Sequence, residues 1–178
     1  MAMQQTLVLI KPDGLVKSLT GNILSVLSET KLKIVGAKIL KVPRELAEKH
    51  YGDLKERKVK QHGEEKGTAI YENTLAYIMG NFHTDRCFAL VYHGEDAVNK
   101  IREICGDTNP EKAHPISLRG KYGRINSLTG VFENVVHTSD SPESAEREIK
   151  LWFTPEELTE NIYPTEKSKT AVERLVWK

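Results

Sequence analysis

Two spacings of apolar residues recur along the chain and predict its strands and helices. Apolar runs rich in β-branched residues predict strands at 6–10, 32–41, 87–92 and 130–136. Apolar residues three or four positions apart predict helices at 20–29, 43–51, 71–82, 96–105 and 141–153. Within the second strand, Val35, Ala37 and Ile39 are expected on one face. The polar, glycine-containing stretch 55–67 predicts a long connection with solvated lysines.

The alternation of strands and helices indicates the fold class. It predicts an α/β (α+β) ferredoxin-like sandwich, in which split βαβ units form a four-stranded, mainly antiparallel sheet with helices on one face. The chain has 178 residues, of which 39% are hydrophobic and 29% are charged. This composition is that of an ordinary globular protein, and the length suits one core.

The charge balance argues against partners that are attracted by the field of the whole molecule. There are 26 Lys and Arg residues and 25 Asp and Glu residues, so the formal net charge is +1. Basic residues cluster at 55–60, but no aromatic residues that could stack on bases are interleaved with them, so nucleic-acid binding is not favoured. No apolar run is long enough to span a membrane, and residues 1–4 do not begin a secretory signal. We therefore expect a cytoplasmic protein without a membrane partner.

One histidine lies where a strand is followed by a turn and a helix. The strand 130–136 leads to His137, and Ser141 with Pro142 predicts an N-cap and first turn four residues later. Such a turn places a side chain at the edge of an α/β sheet, where ligands usually bind. The structural alternative is a core or capping histidine, and His137 alone does not decide between the two interpretations.

Glu148 is the candidate partner of this histidine. It lies beside the apolar stripe of the last helix, where its carboxylate could accept the second ring proton of His137 and fix the tautomer. It could equally pair at the surface with Arg147 or Lys150, as most helical glutamates do. The spacing leaves both possibilities open.

Phosphate binding would need scattered side chains, because neither the P-loop pattern nor the dinucleotide-binding glycine pattern occurs in the sequence. Charge-assisted bonds to phosphate contribute about 1.5 to 3 kcal/mol each, so three or four converging donors could hold a triphosphate. Taken singly, each candidate is more often a surface residue. The candidates are Lys11, Tyr51, Arg102, Thr108, Arg119 and Asn134.

Several separated motifs together carry a family resemblance. They are Leu9-Ile10-Lys11-Pro12-Asp13-Gly14, His50-Tyr51, Gly106-Asp107-Thr108-Asn109-Pro110, Arg119-Gly120, Asn134-Val135-Val136-His137-x-Ser139-Asp140 and the run from Glu143 to Phe153. In order and spacing this series closely resembles the nucleoside diphosphate kinase family over residues 5–158. Agreement of several motifs is far more specific than any one of them.

The resemblance implies an activity and roles for named residues. It implies ping-pong transfer of the γ-phosphoryl group of a nucleoside triphosphate to a nucleoside diphosphate, through a phosphohistidine at His137. Glu148 would orient the imidazole, and Ser139 matches the serine of the histidine loop. The matches to the family's phosphate and ribose contacts are Lys11, Tyr51, Arg102, Thr108, Arg119 and Asn134. Mg²⁺ would be carried by the phosphates of ATP or another nucleotide, not by protein ligands. The resemblance also implies a homo-oligomer, a hexamer or a tetramer, and weak base discrimination is expected because these groups address phosphate and sugar.

Three departures from the family pattern are visible. Thr138 stands where the family usually has glycine, so its backbone must avoid a positive φ. Val59 or a neighbouring lysine stands at the position of the family's base-stacking aromatic residue, and Val131, another aromatic residue or the insertion itself are the candidates to compensate for it. The segments 58–73 and 122–132 are longer than in the compact family form. These departures motivate an alternative function, a nucleotide-binding or interaction protein that has lost transfer.

The last twenty residues extend beyond the family-like part. We predict a domain at 1–158 and an extension at 159–178. The apolar residues of this extension are Ile162, Tyr163, Leu175, Val176 and Trp177. An extension of this composition is expected to dock on the body of the protein or on a neighbouring subunit.

Overall fold

A four-stranded antiparallel sheet lies at the centre of the computed structural model, which describes residues 2–169. Its strands are β1 (Met3–Ile10), β2 (Lys33–Leu40), β3 (Cys87–Glu95) and β6 (Val136–Thr138), in the order β2-β3-β1-β6. A separate hairpin pairs β4 (Arg124–Ile125) with β5 (Phe132–Glu133). The strand order and the antiparallel pairing are those of the predicted ferredoxin-like fold, which is confirmed.

Helices cover both faces of this sheet. They are α1 (Pro12–Val16), α2 (Thr20–Ser28), α3 (Arg44–His50), α4 (Leu54–His62), α5 (Glu64–Ile78), α6 (Ala97–Cys105), α7 (Leu118–Tyr122) and α8 (Pro142–Trp152). Leu7 and Leu9 of β1 belong to one core cluster with residues of α3, α5 and α8. Val8 and Ile10 belong to the other, with residues of α2, α6 and α7. The prediction of helices on one face was wrong, because residues 7–10 of β1 are apolar on both sides of the sheet and each side has to be buried.

The sequence signals for the start of α8 and the end of α6 are confirmed by the structure. Ser141 caps α8 with its Oγ, which accepts a hydrogen bond from the Ser144 N–H at 3.1 Å, and Pro142 is the first helical residue. Gly106 ends α6 with φ of 80°, a conformation that few residues other than glycine adopt easily. Helix α8 therefore begins at a fixed distance from the strand that carries His137.

The polar stretch 55–67 is helical, so the prediction of a long connection there was wrong. It forms most of α4 and the start of α5, and Gly63 with φ of 85° separates the two helices. No residue of α4 is buried, so the apolar stripe that usually reveals a helix is missing. The helix is built from Lys, Glu, Arg and Gln, which have high intrinsic helix propensity.

A β-bulge changes the face that β2 presents. The register to β3 shifts between Ile34 and Gly36, so Val35 is buried whereas Ala37 and Ile39 are exposed. The expectation that Val35, Ala37 and Ile39 share one face was wrong, because an extra residue in a strand reverses the alternation beyond it.

The segment after α8 lies along the sheet. The Thr159 N–H donates to the Val35 carbonyl at 2.8 Å, and the Gln5 side chain donates to the Glu160 carbonyl at 2.8 Å. Tyr163 packs on the core cluster of the α8 face. Leu175, Val176 and Trp177 lie outside the described residues. Among residues 2–169, no helix has both the length and the apolar character that crossing a bilayer demands.

We predict that Gly67→Ala destabilises the protein, because a Cβ at this position would lie 2.5 Å from the Cα of Val59 in the facing helix. Overpacking of this kind costs about 1 to 3 kcal/mol of unfolding free energy. Denaturant titration measures the change. Gly21→Ala is the matched control, since a Cβ there meets nothing within 4 Å in helix α2, and a loss as large as that of Gly67→Ala would contradict the prediction.

Candidate active site

A left-handed residue breaks the chain just before His137. Val135 has φ of 58°, its N–H donates to Asp13 Oδ2 at 3.0 Å, and its carbonyl accepts from the Lys11 N–H at 2.8 Å. The predicted continuous strand 130–136 was therefore wrong: β5 ends before this residue and β6 begins after it. The break interrupts the regular alternation of a strand between Asn134 and His137.

Thr138 lies in β6 and pairs with Val8 of β1. Its backbone is extended and has no positive φ. This agrees with the expectation that a threonine in place of glycine must avoid a positive φ. The left-handed turn falls instead on Val135, three residues earlier. The replacement of glycine by threonine is thus compatible with the position of His137 in the sheet.

His137, Glu148 and Ser139 are hydrogen-bonded together. Nε2 of His137 lies 2.9 Å from Oε2 of Glu148, and the Ser139 hydroxyl donates to the same oxygen at 2.8 Å. The hydroxyl in turn accepts from the N–H of Leu7 at 3.2 Å, which leaves its proton directed to the carboxylate. The structure therefore brings these three predicted residues together around one carboxylate oxygen.

The charge of Glu148 determines which nitrogen of His137 is available. Burial pushes the pKa of this carboxyl upward, but the His137 ring and the two hydrogen bonds outweigh burial and hold the pKa below its ordinary value of 4.5. An ionised carboxylate can only accept hydrogen bonds, so Nε2 of His137 carries a proton. In the neutral ring, Nδ1 then has the free electron pair, and it has no hydrogen-bond partner among residues 2–169.

Both alternatives for Glu148 are partly realised. Its Oε1 is also 3.4 Å from NH2 of Arg147, whose side chain is 52% exposed. Lys150 pairs with Glu146 instead. Because Glu148 is only 4% exposed and the contact to His137 is shorter, the histidine is its main partner.

Lys11, Asn134 and Thr108 meet beside this cluster. The Lys11 ammonium donates to Oδ1 of Asn134 at 2.7 Å and to the Phe132 carbonyl at 3.2 Å. The amide of Asn134 donates to the Thr108 carbonyl at 2.7 Å. Burial, helped by the charge of Arg119, lowers the pKa of Lys11 to about 8 against the opposing effect of Asp13. A buried ammonium of this kind would be stabilised by an added anion.

Arg119 and Arg102 differ in their surroundings. Arg119 is buried, and its guanidinium donates to the carbonyls of Gly106 at 2.6 Å and of Val136 at 3.3 Å. Burial lowers the pKa of Arg119, and the positive charge of Arg102 lowers it further. Arg102 is exposed on α6. A hydrogen bond with Ser144 is the main cause of the lowered pKa of Asp140, and the positive charge of Arg102 lowers that pKa further. The two guanidinium groups are thus close enough to influence each other.

The remaining predicted residues lie around these groups. Tyr51 follows α3, and burial raises the pKa of its hydroxyl, which therefore stays protonated as a donor. Thr108 is exposed. Val131 is buried beside the β4–β5 hairpin, and its carbonyl accepts from Asn126 at 2.9 Å. Val59 is on α4 and is half-buried.

Comparison with known proteins identifies the family. The family model for "Nucleoside diphosphate kinase" matches residues 4–158. The chain belongs to the nucleoside diphosphate kinase family. A nucleoside diphosphate kinase of Staphylococcus aureus is 43% identical over 162 residues, which are 91% of this chain and 95% of that protein.

Solved structures of the family are similar in fold. A nucleoside diphosphate kinase from Borrelia burgdorferi, described as a transition state mimic with bound vanadate and ADP, is 31% identical with a TM-score of 0.75 and covers 90% of this chain and 93% of its own. An NDP kinase from Pyrobaculum aerophilum is 30% identical with a TM-score of 0.78, and covers 89% of this chain and 100% of its own.

Two further residues of this nucleoside diphosphate kinase chain contact the site and were not predicted. His50, at the end of α3, is 3% exposed, and its ring centroid is 4.4 Å from that of His137. The Trp152 indole donates to Nδ1 of His50 at 3.1 Å. Trp152 lies one helical turn after Glu148 on α8, so the spacing of four was a usable signal.

We predict that His50 makes the stability of the protein depend on pH. Burial, then the nearby charge of His137, lowers the pKa of His50 well below 6.5 in the folded state. The unfolded chain therefore takes up a proton first, so stability is complete above pH 6.5 and is lost as the pH falls toward the folded pKa. The slope is about 1.4 kcal/mol of unfolding free energy per pH unit. His50→Asn should lack this contribution in denaturant titrations below pH 6.5, and identical slopes in the two proteins would contradict the prediction.

Proposed function

We propose that this chain is a nucleoside diphosphate kinase that uses Nδ1 of His137 as its nucleophile. The observation that carries the proposal is the bond between Nε2 of His137 and the buried carboxylate of Glu148, which leaves Nδ1 as the nitrogen with a free electron pair. Vanadate resembles a phosphoryl group in transfer. Its presence with ADP in the Borrelia burgdorferi protein therefore supports phosphoryl transfer by similarity.

The proposed reaction balances in two half-reactions. The electron pair of Nδ1 forms a bond to the γ-phosphorus, the bond from that phosphorus to the bridging oxygen breaks, and the nucleoside diphosphate leaves with the electron pair. A second nucleoside diphosphate then attacks the phosphohistidine in the reverse sense. The proton on Nε2 stays between His137 and Glu148, and the carboxylate offsets the positive charge that develops on the ring.

The surrounding donors would align the polyphosphate and offset its charge. We assign phosphate contacts to Lys11, Arg102 and Arg119, and contacts to phosphate or ribose oxygens to Tyr51, Thr108 and Asn134. Transfer through a loose transition state needs such alignment more than covalent machinery. Ser139 would position the carboxylate of Glu148, to which it donates. Val131 is proposed to contact the nucleoside.

Magnesium belongs to the substrate in this proposal. Of the described residues, the side chains grouped closely enough to hold a cation are His50, His137 and Glu148. Mg²⁺ prefers oxygen ligands in octahedral geometry, which a set with two imidazoles does not offer. The ion is therefore proposed to be bound by phosphate oxygens and water, with ATP or another triphosphate as the donor.

We further propose a cytoplasmic homo-oligomer, a hexamer or a tetramer. Strand β2 is at the edge of the sheet and exposes Ile34 and Ile39, with exposed fractions of 48% and 61%. Such an edge is usually covered in the native assembly. The domain is proposed to comprise residues 1–158, with the segments 58–73 and 122–132 as insertions and 159–178 as an extension on the body or a neighbouring subunit.

We predict that ATP phosphorylates the chain on His137. Intact-protein mass measurement after incubation with MgATP should show the addition of one phosphoryl group, which is lost in acid. His137→Ala should not be labelled and should lose turnover by roughly 10⁴-fold or more, because no other group replaces the nucleophile. His62→Ala is the control, since His62 is exposed on α4. Labelling of His137→Ala would contradict the assignment, whereas an unlabelled wild-type chain would favour the alternative of a binding protein without transfer.

We also predict weak discrimination between nucleobases. The proposed contacts reach phosphate and sugar, and a mainly apolar contact to the base distinguishes substrates by only about 1 to 3 kcal/mol. Values of kcat/KM for ATP, GTP, CTP and UTP should then agree within roughly 100-fold. A preference for one base by several orders of magnitude would show that a base-reading contact exists.

A further inference from the structure

His50 presents a buried hydrogen-bond donor beside His137. The two rings pack edge to face with an interplanar angle of 76°, and Nε2 of His50 has no hydrogen-bond partner among the described residues although it is buried. A buried polar group without a partner costs about 1 to 3 kcal/mol, so its retention points to a partner from outside the protein chain.

Trp152 fixes the tautomer of His50. An indole nitrogen can only donate, so Nδ1 of His50, at 3.1 Å from it, has to accept and carries no proton. Burial lowers the pKa of His50, and His137, Arg147 and Lys11 lower it further, whereas Glu148 alone opposes them, so the ring stays neutral. The single proton of the neutral ring is therefore on Nε2.

This tautomer excludes a metal-binding role for the cluster of His50, His137 and Glu148. One ligand atom from each of the three lies within 4.8 Å of the others, which is close enough for a transition metal. A metal would need an unprotonated nitrogen on His50. Nδ1 is occupied by Trp152 and Nε2 carries the proton, so His50 acts as a donor and not as a ligand.

We propose that His50 is a further catalytic residue, whose Nε2–H binds an oxygen of the phosphoryl group as that group moves to and from His137. No proton is transferred in this contact, and the bond is strongest when charge develops on the phosphoryl oxygens. The inference rests on the proposed function, because it requires a phosphoryl group on His137. Trp152 is a positioning residue that acts through His50.

Two substitutions test whether the N–H donor of His50 matters apart from the rest of its ring. In His50→Asn the amide oxygen can still accept from Trp152 where Nδ1 did, but the donor at the Nε2 position is lost. In His50→Gln the longer amide places an N–H near the Nε2 position. Loss of one such bond, at roughly 1.4 kcal/mol, slows transfer about tenfold. We expect His50→Asn to lower kcat about tenfold with little change in KM for the nucleotide, and His50→Gln to recover most of the loss.

The measurement is single-turnover labelling with MgATP, with thermal unfolding as the check on folding. Wild-type labelling together with equally fast His50→Asn, or with His50→Gln as slow as His50→Asn, would overturn this inference and leave the proposed function intact. An unlabelled wild-type chain would overturn both. Nitrogen NMR of the full chain is a second measurement that needs no variant. It should find the His50 proton on Nε2 between about pH 6 and 8, and a proton on Nδ1 would overturn the inference.

Discussion

The candidate site depends on one buried carboxylate that holds a strained backbone. Asp13 accepts the N–H of Val135, a β-branched residue whose left-handed conformation costs about 1 to 2 kcal/mol and needs compensation of this kind. The turn interrupts strand alternation between Asn134, whose side chain contacts Lys11, and His137, which contacts Glu148 of α8. In a regular strand, residues three positions apart would point to opposite faces of the sheet.

The ionisable groups of the site are held ready before any ligand arrives. Lys11, Arg119 and Glu148 are only 6%, 5% and 4% exposed. Each has hydrogen-bond partners from the backbone or from neutral side chains. Their positions are therefore set by the fold and not by mutual ion pairing. A polyphosphate that enters such a site meets cations that have already lost much of their hydration, so the fixed charges act in a medium of low dielectric constant.

The sequence predicted those parts that follow from local rules. The cap of α8 follows from its Ser-Pro signal, the residues that meet at Glu148 follow from the family motifs, and the fold class follows from the alternation of elements. The left-handed Val135 could not be predicted, since its cause is the tertiary contact to Asp13. The bulge in β2 could not be predicted either, since it is a feature of the pairing between β2 and β3. Helix α4 was missed because helix propensity without a buried face gives no periodic signal, and the Trp152–His50 bond was missed because it joins two elements that are distant in sequence.

The exposed helix α4 also bears on how the chain can diverge. Leu54, the first residue of α4, packs against one cluster of the core, whereas residues 55–62 belong to neither cluster. Changes of composition among the exposed residues of 55–62 therefore remove no apolar contact from the core, provided that the close packing of Gly67 against Val59 is kept. Evolutionary drift can remodel this exposed surface at little thermodynamic cost, and it is a suitable place to graft a peptide epitope.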